Sequence, residues 1–450
     1  MTQLPVAIIG GGPVGLAAAA HLLERRQDVL LFEAGETVGA SVLDWAHVRL
    51  FSPWQFNVDS ASLRLLEGAG WLMPLADELP TGAELYERYL RPLAELPAMR
   101  KVIRTGTRVI SVGRRGLDKV KDRGRDSTPF QLHTLTTGGD EALVEARAVI
   151  DASGAWHKPN PLGAGGRPAI GEASLRGRLT YGIPDVAGRE RRRYAGKRVM
   201  VVGSGHSAIN VLLDLISLRE DGRAAEVIWA MRGDNLRKVY GGGDDDALPA
   251  RGLLGIRIKA AIEAGALEIA APFRIERVET AGDGLRVIGD MNGFERGVYA
   301  DEVIVCTGAR PDLAMLRELR LDLDPAVEAA RSLAPLIDPN LHSCGTVRPH
   351  GEAELRQPER DFYIIGMKSY GRAPTFLMAT GYEQARSIAA ALCGDWAGAR
   401  DVQLSLPETG VCVTDYADGD ICCEPVSPGP QLVSLGEISL APRLREGNCC

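Results

Sequence analysis

The first 305 residues hold no cysteine, and no Cys-x-x-Cys occurs anywhere in the 450. A framework of structural disulfides spread through the chain is therefore excluded, as is a paired-thiol redox centre at that spacing. A basic surplus is also missing. Fifty-two Lys and Arg stand against 59 Asp and Glu, a net charge of −7, and this balance repels phosphate backbones and excludes nucleic acid as a partner. No long uninterrupted apolar run is present either. The uncharged stretch 6–20 is broken by Gly10, Gly11, Gly12 and Pro13 and has no basic segment before it, which is neither a signal peptide nor a membrane span. A cytoplasmic protein with no membrane partner is expected.

What remains is ordinary globular composition, 45% hydrophobic and 25% charged, in a chain long enough for about three folded units at roughly 150 residues each. Glycine stands out at 52 residues, above the usual ~7%. Many of these glycines fall where a strand hands over to a helix. Val6 to Ile9 is apolar and β-branched, glycines follow, then an alanine-rich stretch to Arg26, then Val29 to Phe32. This predicts a βαβ unit. A second unit starts at Arg198, turns through Gly203 to Ser207, has helical periodicity over Ala208 to Leu218 and resumes as a strand over Val227 to Met231. Two such units imply two nucleotide-sized sites. The Pro- and Gly-rich stretch 154–171 and the basic run 189–193 read as crossings between domains. The stretch 114–125, with six basic and two acidic residues, reads as an exposed hairpin loop. Beyond Asp401, prolines and doubled cysteines replace periodicity, so 405–450 reads as an appended tail.

Gly10-Gly11-Gly12-Pro13-Val14-Gly15 fits G-x-G-x-x-G. Gly10 allows the tight turn, Gly12 admits pyrophosphate and Gly15 lets helix and strand pack closely, with the pyrophosphate on the helix N-terminus. Glu33, ending the next strand, is placed to accept hydrogen bonds from a ribose diol. Gly203-Ser204-Gly205-His206-Ser207-Ala208 repeats the pattern with alanine last. Here the following strand ends in Trp229-Ala230-Met231-Arg232, with Arg237 and Lys238 soon after. These cations suit a 2′-phosphate, so NADPH is expected over NADH. His206 occupies a variable position within this second motif and is expected to help shape the nucleotide site rather than bind metal, and His47, His157, His342 and His350 lack metal-ligand spacing.

Two dinucleotide motifs, the stretch from Asp151-Ala152-Ser153-Gly154 to Pro159, and Cys306-Thr307-Gly308-Ala309-Arg310-Pro311-Asp312 resemble the two-dinucleotide-binding-domain flavoproteins over residues 1 to about 400. Within that superfamily the chain is most similar to flavin-containing monooxygenases and thioredoxin-reductase-like proteins. The resemblance implies FAD at the first motif and NADPH at the second, with Gly154 and Gly308 in the crossover loops. It also implies Gly39, Ser41 and Trp45 beside the FAD, and Gly366 and Thr380 near the flavin and its ribityl chain. The fold it implies is α/β: two Rossmann-like three-layer dinucleotide-binding domains, an FAD domain over 1–190 and 301–404, an NADPH domain over 191–300 inserted in it, and a C-terminal cysteine-rich tail over 405–450. Flavin-containing monooxygenases carry Phe-x-Gly-x-x-x-His before the second motif. Here the comparable stretch is Leu175-Arg176-Gly177-Arg178-Leu179-Thr180-Tyr181, which makes Tyr181 a candidate catalytic residue. Cys344, before the expected flavin-contacting strand at Phe362, is a second candidate, with an inert buried thiol as the alternative.

The segments 41–54 and 367–376 also resemble a bacterial flavoprotein group associated with arsenic-resistance operons. The implied reaction is NADPH-dependent oxidation of a soft nucleophile such as a trivalent arsenical by molecular oxygen, through a flavin C4a-hydroperoxide. Cys412, Cys422 and Cys423 offer thiolates that soft ions prefer, a candidate metal or arsenic site. Alternatives are an NADPH-dependent thiol or metal reductase using those cysteines, or a redox or metal sensor without catalysis. Substrate identity is left open, as is assembly into a homo-oligomer.

Overall fold

The computed structural model describes residues 4–220, 226–243, 246, 248–341, 350–373 and 376–404. The expected Cys344 and the tail with Cys412, Cys422 and Cys423 lie outside the described residues. In chain order the strands are β1 (Val6–Ile9), β2 (Val29–Phe32), β3 (Ile103–Arg104), β4 (Thr107–Arg114), β5 (Phe130–Thr136), β6 (Glu141–Ala146), β7 (Ala148–Asp151), β8 (Leu179–Tyr181), β9 (Arg198–Val202), β10 (Glu226–Ala230), β11 (Glu268–Ala270), β12 (Arg274–Ala281), β13 (Gly284–Met291), β14 (Phe294–Ala300), β15 (Glu302–Val305) and β16 (Phe362–Ile364). Four long helices matter for the site: α1 (Pro13–Glu24), α2 (His206–Glu220), α3 (Pro249–Glu263) and α4 (Met378–Leu392).

Two parallel sheets form, in the orders β16-β7-β1-β2-β3 and β11-β10-β9-β15-β8. Each is covered by helices on one face and a three-stranded antiparallel meander on the other, the three-layer α/β architecture read from the sequence. The alternation of side chains along β1 explains this. Val6 and Ile8 join the core under α1 and α4, whereas Ala7 and Ile9 join the core under β4-β5-β6. A parallel strand buried on both faces needs the unbroken apolar run this one has. The second sheet repeats the scheme, with Val199 and Val201 facing α2 and Met200 and Val202 facing the β12-β13-β14 side. It draws β8 and β15 from outside 191–300, because β15 pairs in parallel with β9 and β8 in turn pairs in parallel with β15.

Helix α1 starts with Pro13 in its first turn, where no backbone N–H is needed. Ala17 to Ala20 are fully buried, and their small side chains let α1 lie close against α4. Gly381 completes that contact, since a Cβ there would stand 2.5 Å from Val14 Cγ2.

The stretch 114–125 connects β4 and β5 as expected, but its ends are not exposed. Arg114 Nε and Arg125 Nη2 donate to Glu359 at 2.7 and 2.6 Å, and all three side chains are buried. Burial alone would raise the Glu359 carboxyl, yet the hydrogen bonds from Arg125 and Arg114 outweigh it and hold the group below its ordinary range. Charge runs look solvated in sequence because the partner, here 234 residues away, is invisible from them.

Candidate functional site: two nucleotide cradles

At the carboxyl end of β1 the chain enters the first glycine loop. Gly10 has φ +103° and a Cβ there would lie 2.6 Å from Ala152 O, while one on Gly15 would lie 1.9 Å from Gly10 O. These two glycines are required by close backbone approach. Gly12 differs, for a Cβ on it meets nothing within 4 Å. It caps α1 with no side-chain hydrogen bond. Free helix amides beside open space are what a pyrophosphate needs. The Glu33 carboxylate accepts from Gly11 N at 2.6 Å and Gly35 N at 2.7 Å, which aims it at the loop and leaves lone pairs for ribose hydroxyls. Gly39, at φ +64°, donates its N–H to Gly11 O, so the segment after Glu33 folds back onto the loop. Gly366, at φ +70°, abuts Val14 and donates to Gln384 Oε1 at 2.7 Å. Thr380 lies buried in the first turn of α4. The residues assigned to FAD thus converge on the carboxyl edge of the first sheet, the usual position of a ligand crevice in open α/β sheets.

The second cradle repeats this plan. Gly203 has φ +132°, and a Cβ on it would meet Cys306 O at 2.3 Å, while Gly205 faces open space. Ser204, Gly205 and His206 are exposed, and Ser207 is half-buried. The His206 ring lies 5.4 Å from that of Phe51, a residue of the stretch following the first cradle. Arg232 is exposed two residues past the end of β10, one residue beyond the place that Glu33 holds after β2. Arg237 belongs to a short helix, 236–240.

The two crossover stretches tie the cradles together. Asn160 N donates to Gly308 O, Asn160 Nδ2 to Thr307 O and Thr307 Oγ1 to Asn160 O. Gly154 and Gly308 both have positive φ, +70° and +81°. Ser41 Oγ lies 3.1 Å from His157 Nε2 and Trp156 Nε1 donates to Asp44 Oδ2, so the stretch carrying Trp45 is held to the Gly154 crossover. Trp45 itself packs on Gly82, where a Cβ would stand 2.8 Å from the indole.

A family model described as pyridine nucleotide-disulphide oxidoreductase matches residues 7–344. The chain belongs to this family. It is an FAD- and NADPH-dependent oxidoreductase, and the two open cradles fit those groups. A ferredoxin–NADP reductase of Gluconacetobacter diazotrophicus is 26% identical over 358 residues, covering 78% of this chain and 84% of that one. Among solved structures, the bacillithiol disulfide reductase of Bacillus cereus matches at TM-score 0.65 and 18% identity, over 87% of this chain and 99% of that one. The FAD-bound cadaverine monooxygenase of Erwinia amylovora matches at TM-score 0.62 and 12% identity, over 92% and 100%. Both structural likenesses are of fold. Among the described residues, no helix is long and apolar enough to cross a membrane, and no group of His, Cys, Asp and Glu is arranged to hold a metal.

Disulfide chemistry needs an accessible thiolate, and the described thiols do not supply one. Cys306 is buried, its Sγ donates to Gly182 O at 3.2 Å, and burial pushes its pKa up to about 12. Burial also raises the half-buried Cys393. Cys306 should not react at pH 8 in the native holoprotein. Thiol labelling followed by peptide mapping is expected to leave Cys306 unmodified until the protein is unfolded, and rapid native labelling there would contradict the burial.

Tyr181 has a specific environment. Its hydroxyl donates to Glu172 Oε1 at 2.6 Å, and the Arg176 guanidinium lies 3.5 Å over its ring. Burial, then the Glu172 hydrogen bond, hold the phenol proton well above its ordinary range. Buried Glu172 also accepts from Leu162 N and Ala169 N, so Tyr181 and Glu172 together brace the turn at 163–166.

Sequence reading missed the ion pair beneath the first cradle. Lys368 Nζ donates to Asp151 Oδ2 at 2.7 Å and to Ser153 Oγ at 3.1 Å, with side-chain exposures of 1% and 0% for Lys368 and Asp151. Asp151 ends β7 between Ile9 and Ile364. The available signal was a lone charge in each of two apolar stretches, Val149-Ile150-Asp151 and the run from Phe362 to Tyr370. Neither stretch alone identifies the partner.

Proposed function

We propose that the chain is an NADPH-dependent flavin monooxygenase acting on a soft nucleophile such as a trivalent arsenical. One observation carries the reading: two nucleotide cradles are formed, yet residues 1–305 contain no cysteine and Cys306, the first in the chain, is buried. Among the described residues no thiol pair stands beside the first cradle, which favours an acceptor other than a protein disulfide. Bound FAD would take hydride from NADPH and supply reactivity toward oxygen. In the net reaction NADPH, a proton, O₂ and the As(III) compound give NADP⁺, water and the As(V) oxide. One oxygen atom joins arsenic, whose lone pair is the electron donor, and the other leaves as water.

The chain's own residues supply binding and orientation. Glu33 holds the ribose of the first nucleotide, the α1 amides hold its pyrophosphate, and Gly205 admits the second pyrophosphate at α2. The Asn160–Thr307 ladder keeps the crossovers in register. The resemblance of 41–54 and 367–376 to flavoproteins of arsenic-resistance operons supports the arsenical. The roles of Tyr181 and Cys344 as catalytic residues, and of Cys412, Cys422 and Cys423 as soft-ion ligands, belong to the same proposal.

The likeness to ferredoxin–NADP reductases at 26% identity favours a second reading, electron exchange between NADPH and a small carrier protein. Anaerobic reduction by NADPH, followed by oxygen with and without a methylated trivalent arsenical, separates them. Oxygen uptake stoichiometric with pentavalent product is expected. Peroxide release unaffected by the arsenical, with rapid reduction of an added ferredoxin, would establish the carrier reading instead. Thiol turnover without oxygen uptake would point to a reductase using the tail cysteines.

A further inference from the structure

Beyond Arg232, two other guanidiniums approach the same glycine-rich turn. Arg232 Nη1 lies 3.5 Å from Ala164 O, too far for a strong bond. A Cβ on Gly166 would stand 3.7 Å from Arg372 Nη2, and one on Gly165 would stand 3.7 Å from Arg167 Nε. All three side chains are exposed, and none pairs with a carboxylate among the described residues. Arg372 donates its backbone N–H to Val327 O, while the neighbouring Glu328 carboxylate is taken by Arg310. The turn itself is held firmly. Gly163 can have no Cβ because Arg167 O would stand 2.2 Å away, Ala164 N donates to Ile275 O, and Glu172 pins Leu162 and Ala169 at both ends.

Three exposed guanidiniums around one braced turn, without an anionic partner among the described residues, at the end of the strand where a ribose is read, are suited to a phosphate monoester. We propose that Arg372 and Arg167 join Arg232 as a phosphomonoester site that reads the 2′-phosphate of NADPH. Cofactor choice is then made by three separate stretches of chain, one of them, at 372, carried on the connection that leads into α4 of the first sheet's helical layer. Glu172, which accepts from Leu162 N and Ala169 N, acts as a positioning residue for that site by fixing the turn. This inference rests on the reading of the second cradle as the NADPH site.

The test uses the FAD-loaded protein and measures dissociation constants by titration calorimetry for NADPH and NADH, and for adenosine 2′,5′-bisphosphate and 5′-AMP. Arg372→Gln and Arg167→Gln are each expected to weaken NADPH and the bisphosphate about tenfold, the loss of one charge-assisted hydrogen bond. NADH and 5′-AMP should change by less than about twofold. Arg372→Lys should restore part of the loss, and added salt should weaken wild-type NADPH binding more steeply than NADH binding. Parallel weakening of both nucleotides, or no change in either variant, overturns the proposal. Arg232→Gln is the control for the underlying reading. If it lowers the NADPH preference while the other two variants do not, the three-arginine site fails and the NADPH cradle stands. If it also leaves the preference untouched, the cradle assignment falls too.

Discussion

Gly12→Val is expected to give a folded, colourless protein with FAD affinity lowered by at least about a hundredfold. A Cβ at Gly12 meets no protein atom within 4 Å, and it adds no φ strain because Gly12 has φ −76°. The fold therefore loses little. The valine side chain fills the place where pyrophosphate approaches the uncapped amides of α1, and those charge-assisted hydrogen bonds are lost together. Gly205→Val is the matched experiment at the second cradle, expected to be yellow but not reduced by NADPH. The contrast with Gly15→Ala makes the pair specific. There a methyl group would stand 1.9 Å from Gly10 O, so β1 and α1 must move apart, and lost secondary structure should accompany lost colour. Circular dichroism and the flavin absorbance at saturating FAD read all three. A yellow Gly12→Val protein with wild-type FAD affinity would refute the first cradle.

These glycines also show what could be read before the structure. G-x-G-x-x-G is a statement about backbone approach, and backbone approach over six residues is local, so Gly10, Gly12 and Gly15 took their places as read. Glu33 followed because strand length fixes where β2 ends. The second cradle was legible for the same reason. The Glu359 pair with Arg114 and Arg125, the Lys368–Asp151 pair and the convergence of Arg372 on Gly166 were not. Each joins residues separated by hundreds of positions, and a single sequence carries no register between them. The basic stretch 114–125 misled only at its ends, because Arg114 and Arg125 look solvated when their one buried carboxylate is elsewhere in the chain.

Lys368→Met should cost about 3–5 kcal/mol of unfolding free energy, a large share of the ~5–15 kcal/mol that holds a domain together. The reason is the carboxylate it leaves behind. Asp151 has no solvent access, and after the substitution its described partners are only the N–H and hydroxyl of Ser153, at 3.0 and 2.6 Å. An uncompensated buried charge is worse than no charge, so Asp151→Asn combined with Lys368→Met should recover most of the loss. The coupling between the two sites, measured by denaturant unfolding of all four proteins in a double-mutant cycle, should exceed about 2 kcal/mol. Flavin retention provides a second readout. Ala152 and Ser153, which the pair holds in place, form the wall against which Gly10 packs, and Gly366, two residues before Lys368, abuts Val14. Lys368→Met should therefore release FAD at denaturant concentrations where the wild-type protein remains yellow, and the double variant should regain stability with only partial return of flavin affinity. A Lys368→Met protein within about 1 kcal/mol of wild type would mean that water or a local shift neutralises Asp151, and that the pair does not hold the two loops of the cradle together.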